Sequence, residues 1–311
     1  MKNILFLLLF SSVIMSQTNK DMCVTIDDLP FQQNGTTSIE MQNYYTQKLL
    51  NKLTSAKIPA VGFVNENKLE TDGKLNPAKL ELLKLWLDSG LELGNHTYSH
   101  KGLHNSSVAE FEADILRGET HIKPMIKEAG SRLRYFRHPY LHTGRSIEIK
   151  DSVNNFLQEN GYIVASVTID NSEWIYAFSY QKAMFAGDSL MMKEIAAEYI
   201  PYMIDKIKFY ERQSDKLFGR NIKHILLIHS NALNADYIDL LLSQIKKEGY
   251  NFISLEETLR DEVFLLPDKF TGGAGISWID RWALAKGMKK DFFAGEPRIS
   301  SRISEYSGYK E

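Results

Sequence analysis

The sequence predicts a single α/β domain built as a (β/α) barrel of about seven parallel strands. Three observations carry this reading. Short β-rich runs alternate with stretches of helical periodicity along the chain. A glycine repeatedly closes a helical stretch just before the next apolar run. The polar clusters of chemical interest fall at the C-terminal ends of those runs, where parallel α/β architectures build their sites. An open doubly wound sheet is the alternative, and about seven βα units make one barrel more economical than two domains.

The chain opens with Lys2, an apolar run from Ile4 to Phe10, and small or apolar residues up to Ser16. That is the pattern of a secretory signal peptide over residues 1–16. The run is shorter than the roughly 20 residues a bilayer span needs. The expectation is therefore a protein exported to the periplasm or the medium, with no stable membrane span once mature.

The strands are predicted at 22–28, 58–65, 91–96, 135–140, 162–170, 224–230 and 250–255. Between them, Leu80, Leu83 and Leu87, and likewise Ile149, Val153, Phe156 and Leu157, recur at helical spacing and would pack outside the sheet. Gly90, Gly130, Gly161 and Gly249 each close such a stretch. Ser107 and Glu110 form a capping-box signature for a helix expected to end near Gly130. The barrel domain is assigned to residues 17–260. It carries an insertion at 171–221 that reads as helical over 191–209, and residues 261–311 form an extension expected to pack on the barrel. Either addition could roof the site or seal the barrel.

Composition narrows the function. A net charge of -2 without a basic cluster argues against a dedicated nucleic-acid binder. One cysteine, Cys23, permits no internal disulfide, so an exported chain of this length must rely on an ordinary hydrophobic core.

The chemistry gathers at the predicted strand ends. His96 and His100 are four apart, so a helical turn there would face both imidazoles toward one metal ion, although the pair alone reads more readily as surface histidines flanking a turn. Asp28 supplies the carboxylate that an imidazole–carboxylate hydrolytic zinc site needs. Adjacent Asp27 and Asp28 are expected to point opposite ways, because side chains alternate along a strand. One can then bind the ion while the other takes a proton. Arg137 is suited to brace a carboxylate, with Asp27 or Asp170 as its partner. His229 ends the strand at 224–230 and is suited to protonate a leaving amine. His138 and His142 flank Tyr140 and belong beside the cleft, whereas His104, His121 and His224 show no usable spacing.

Taken in order, these clusters resemble the motif series of the polysaccharide deacetylase (NodB homology) family, carbohydrate esterase family 4. Thr25-Ile-Asp-Asp-Leu-Pro30 is similar to the family's T-F-D-D-G-P, and His96-Thr-Tyr-Ser-His100 matches H-[ST]-x-x-H. Arg137-His-Pro-Tyr140 matches R-x-P-Y, Asp170-Asn-Ser-Glu-Trp174 is similar to D-x-x-D-W, and Leu227-Ile-His229 stands at L-x-H. The resemblance implies a distorted (β/α) barrel and one divalent metal, usually zinc and sometimes cobalt, held by Asp28, His96 and His100. It also implies Asp27 as general base, Arg137 orienting it with Asp170 bonded behind, and the Tyr140 N–H stabilising an oxyanion. Trp174 would line the acetyl pocket and His229 would be the acid. Two positions depart from the pattern: Leu29 replaces a glycine and would crowd the metal edge, and Glu173 replaces an aspartate.

The resemblance implies removal of N-acetyl groups from amino sugars in peptidoglycan, a chitin-like chain or an exopolysaccharide. An O-acetyl esterase of the xylan type is the enzymatic alternative. A carbohydrate-binding relative without turnover is the other, and it predicts a missing base, ligand or acid; Asp27, Asp28, His96, His100 and His229 are all present.

Overall fold

A computed structural model describes residues 20–33 and 35–311. The expected signal peptide lies outside the described residues. In chain order come β1 (Lys20–Leu29), α1 (Ile39–Ser55), β2 (Val61–Val64), and a small antiparallel hairpin of β3 (Glu70–Thr71) and β4 (Lys74–Leu75). Then follow α2 (Pro77–Asp88), β5 (Glu92–Asn95), α3 (Val108–Arg117), α4 (Ile122–Glu128), β6 (Tyr135–Phe136), α5 (Ile147–Glu159) and β7 (Ile163–Val164). The second half holds α6 (Glu173–Phe185), α7 (Ser189–Phe218), β8 (His224–His229), α8 (Ala232–Lys247), β9 (Tyr250–Phe252) and α9 (Leu255–Thr258). The extension adds α10 (Trp278–Ala285) and α11 (Ser301–Ser307).

Seven strands form one parallel sheet in the order β7-β6-β5-β2-β1-β8, with β9 also paired to β1. β1 pairs with β2, β8 and β9, and its residues from Met22 to Asp27 are buried, as expected of a strand covered on both faces. The sheet curls into a half-barrel. Its edges are drawn together because the chain leaving β7 runs on to Ile169, which bridges Leu226 of β8. Each predicted strand is found, but β6 and β7 are only two residues long. Beyond β6 the chain turns at Pro139, which cannot donate to a ladder.

The helices follow their caps. Ser38, Asn76, Ser107 and Ser146 each accept a backbone N–H at the start of α1, α2, α3 and α5, and Ser107 with Glu110 completes the capping box. Gly90, Gly130, Gly161 and Gly249 take positive φ before the next strand, as expected. The helix opened by Ser107 does not run to Gly130, however. It stops at Arg117, and α4 begins after a break where buried Glu66 accepts the N–H groups of His121 and Ile122. The insertion is more helical than the sequence suggests, since α6 and the 30-residue α7 fill it, with Pro201 inside α7. No helix among the described residues is long and apolar enough to cross a membrane.

Candidate active site

The site is built at the C-terminal rim of the sheet around the end of β1. Asp27 is still in register with β8, opposite His229. Alternation should send Asp28 to the other face, but its φ of 70° takes it out of extended geometry. The two carboxylates therefore converge instead of pointing apart: His96 Nε2 lies 3.7 Å from Asp27 Oδ2 and 4.0 Å from Asp28 Oδ1. Asp27 Oδ1 and Asp28 Oδ1 are buried without a hydrogen-bond partner among the described residues.

The two histidines meet without the helical turn expected for 95–100. His96 directly follows β5, and positive φ at Thr97 and at His100 folds the segment back, leaving the rings 4.8 Å apart. Neighbours pin the turn. Asn95 Oδ1 accepts the Thr97 N–H, Asn65 Nδ2 donates to the His96 carbonyl, and Asp114 of α3 takes the N–H and hydroxyl of Ser99. Gly118, just after α3, lies so close that a Cβ there would stand 2.7 Å from the backbone of Thr97 and Tyr98.

One ligand atom each from Asp28, His96 and His100 lies within 4.8 Å of the others, and His100 Nε2 is 3.6 Å from Asp28 Oδ1. His96 Nδ1 is 2.8 Å from the carbonyl of Arg137, which can only accept, so Nδ1 carries the proton and Nε2 presents a lone pair. Burial holds both imidazoles below their usual range and so neutral. Burial opposes ionisation of Asp28, but the charge of Lys68 beside it outweighs this and holds the carboxyl below its ordinary value. Lys68 Nζ, 3.2 Å from Asp28 Oδ1, is a neighbour that no motif singles out. Two neutral imidazoles and an ionised, underbonded carboxylate fit a divalent cation such as zinc.

Asp27 differs from its neighbour. Burial pushes it up to about 6 against the pull of Arg137 and His229. Arg137, fully buried, lies with Nη1 3.8 Å from Asp27 Oδ2 and donates from Nη2 to Thr25 Oγ1 at 2.7 Å. Among the described residues no hydrogen bond or ion pair joins Arg137 to Asp170, contrary to the expected arrangement. Asp170 follows the residue bridged to β8, so β8 stands between it and β1, where Arg137 is engaged. Asp170 still lines the cavity, and burial raises it to about 6.

Glu173 is the residue whose role the sequence left open. It opens α6 fully buried, and its Oε2 lies 2.7 Å from His229 Nδ1, while Oε1 accepts from Asn231 and Asn234. Burial disfavours the imidazolium, but the hydrogen bond and charge of Glu173 outweigh it and raise His229 above the ordinary histidine range. The spacing from Glu173 to Trp174 was the available signal; which group it served depends on contact across 56 residues. Leu29, by contrast, does not crowd the site. It is fully buried in the core against Gly62.

These groups line one cavity of about 670 Å³. Asp27, Asp28, His96, His100, Tyr140, Asp170, Trp174 and His229 all border it, as do His138 and His142. Tyr140 is half-exposed with its ring 4.4 Å from that of His100. Trp174 meets Phe178 and, from the extension, Tyr309, at ring separations of 5.6 and 4.9 Å.

Residues 15–165 match the polysaccharide deacetylase family. A peptidoglycan-N-acetylglucosamine deacetylase of Bacillus cereus is 24% identical over 222 residues, which cover 70% of this chain and 82% of that protein. Among solved structures, a mutant of a carbohydrate esterase family 4 pseudoenzyme with restored enzymatic activity superposes with a TM-score of 0.50 at 18% identity, covering 78% of this chain and 68% of the other. A family 4 acetyl xylan esterase from Clostridium thermocellum, in complex with a cobalt ion, gives a TM-score of 0.48 at 19% identity over 77% of this chain and 90% of its own.

Proposed function

Because residues 15–165 match the polysaccharide deacetylase family, we propose that the protein is a metal-dependent hydrolase that removes N-acetyl groups from amino sugars of an exported or cell-wall glycan. The observation that carries this is the convergence of Asp28, His96 and His100 beside Asp27, whose Oδ1 has no hydrogen-bond partner among the described residues, with a Glu173-supported His229 in the same cavity. The Bacillus cereus relative, named for peptidoglycan N-acetylglucosamine, supports the substrate class. A mature protein in the periplasm or medium fits such a glycan.

A divalent cation held by Asp28, His96 and His100, zinc or cobalt, would polarise the acetyl carbonyl and make water acidic enough to lose a proton near neutral pH. Asp27 would accept that proton; the charges of Arg137, of His229 and, more weakly, of Lys68 favour the ionised form that a base requires. Arg137, buttressed by Thr25, holds Asp27 in place. The Tyr140 N–H stabilises the charge that develops on the acyl oxygen. His229, held by Glu173, gives its proton to the departing sugar nitrogen, without which an amine is a poor leaving group. Trp174, extended by Phe178 and Tyr309, walls the cavity beside the acetyl group. Asp170 at the rim completes the charged lining.

The test is acetate release from chitooligosaccharides, peptidoglycan fragments and acetylated xylan, after chelation and again after zinc or cobalt is added. Release from the amino-sugar substrates that stops on chelation and returns with metal is expected, and His96→Ala should neither bind metal nor turn over. Release from xylan alone would replace the reading with an O-acetyl esterase; metal binding without release from any substrate would favour a binding protein.

A further inference from the structure

Tyr140 and Leu141 both have positive φ, 57° and 53°. Two successive left-handed non-glycine residues are strained and persist only where their surroundings over-determine them. Within the turn, Leu141 N–H donates to His138 and His142 N–H to Pro139, and no acceptor for the Tyr140 N–H is found among the described residues. The surroundings come from the C-terminal extension, beyond the matched residues 15–165. Arg281 is 1% exposed, donates from Nη2 to the Leu141 carbonyl and from Nη1 to Thr143 Oγ1 at 2.6 Å, and its Nε holds the Ile276 carbonyl at 3.0 Å. Asp268 accepts from Arg281, Thr143 and Lys150, so the guanidinium is itself fixed. Gly275 approaches the Tyr140 carbonyl so closely that a Cβ would stand 1.8 Å from its oxygen.

We infer that Arg281 and Gly275 of the extension are positioning residues for the reaction, holding the Tyr140–Leu141 turn in the strained form that aims the Tyr140 N–H at the acyl oxygen. The inference rests on the proposed deacetylase reading. Arg281 and Gly275 restrain the carbonyls that follow the Tyr140 N–H, and the His138–Leu141 hydrogen bond restrains the chain before it. A hydrogen bond to an oxyanion is made only in the transition state, so disturbing the turn should lower kcat and leave KM nearly unchanged.

The experiment compares the zinc-loaded wild type with Gly275→Ala, Arg281→Lys and Gly273→Ala. Gly273 lies in the same loop, but a Cβ there meets nothing nearer than 3.7 Å, so this variant is the control. Gly275→Ala should displace the Tyr140 carbonyl without deleting a hydrogen bond, and Arg281→Lys keeps the charge beside Asp268 while losing the fork. Each should lose about tenfold or more in kcat, with KM within about twofold and zinc affinity unchanged, since removing a whole oxyanion donor costs about 10²–10³. Gly273→Ala should behave as wild type. Hydrogen exchange of the peptide spanning 137–143 should quicken in the first two variants and not in the third. Full kcat in folded Gly275→Ala and Arg281→Lys, or unchanged exchange across 137–143, would overturn the inference. If the wild type releases no acetate from any substrate, the proposed function fails, and the exchange measurement still decides whether the extension holds the turn.

Discussion

At the scale of single residues the two sides of the cavity are tuned in opposite senses. Asp28 is held ionised by Lys68, Asp27 is raised by burial to about 6, and His229 is raised by Glu173. An acid must carry its proton, so activity should fall as pH rises through the His229 pKa. Glu173→Gln removes the charge that raises this pKa and leaves the burial that lowers it. The alkaline limb of kcat should therefore move to lower pH, with a loss of about tenfold or more on that side, given the usual worth of a general acid. A kcat–pH profile checks this, and an unmoved limb would mean that His229 is not the proton donor. Residue identities at the rim were readable from the sequence because each ends a recognisable apolar run. Their pairings were not. The partner of Glu173 depends on where α6 begins relative to β8, and the convergence of Asp27 with Asp28 depends on one left-handed residue that alternation does not foresee.

Among the elements, the strands were legible because a strand buried on both faces writes itself as an apolar run, as in Cys23 to Ile26 or Ile225 to Ile228. The turn that presents His96 and His100 was not, since nothing local to it shows that the end of α3 is its support. Tyr98 N–H donates to the Asp114 carbonyl at 3.0 Å, Ser99 is gripped by the Asp114 carboxylate, and Gly118 leaves room for the Thr97–Tyr98 backbone. Gly118 has φ of −73°, so alanine there is not excluded by its own backbone conformation; it is excluded by the 2.7 Å approach. Gly118→Ala should therefore push the turn and weaken zinc affinity by about 10-fold to 100-fold, the usual range for losing support of a metal ligand. Competition with a chromogenic chelator measures it. Affinity equal to wild type would show that the turn holds its shape without α3.

For the whole molecule, the question is whether residues 261–311 are an appendage or part of the domain. Their contacts run into the barrel itself. Trp278 N–H donates to the Val167 carbonyl, Ser277 Oγ to that of Thr168, and Trp278, Ile279, Trp282, Phe292 and Ile303 are buried in the same core as β1 and α7. Trp282 is 2% exposed and meets Phe218 at the end of α7 and Phe264 edge-on, with ring separations of 5.8 and 5.9 Å. Removing such a side chain forfeits its transfer from water and leaves a cavity that close-packed neighbours fill only in part, typically a loss of about 3–5 kcal/mol. That is a large fraction of the roughly 5–15 kcal/mol that holds a domain folded. If the extension belongs to the same cooperative unit, Trp282→Ala should shift the urea midpoint of the entire far-ultraviolet circular dichroism transition, and bound zinc should be released over the same shifted range. If it is an appendage, a minor early transition should separate from a main one that stays with the wild type. The packing favours the cooperative outcome, because Trp278, Ile279 and Trp282 share one core cluster with Met22, Val24 and Ile26 of β1 and Leu226 to Ile228 of β8, the strands that carry Asp27 and His229.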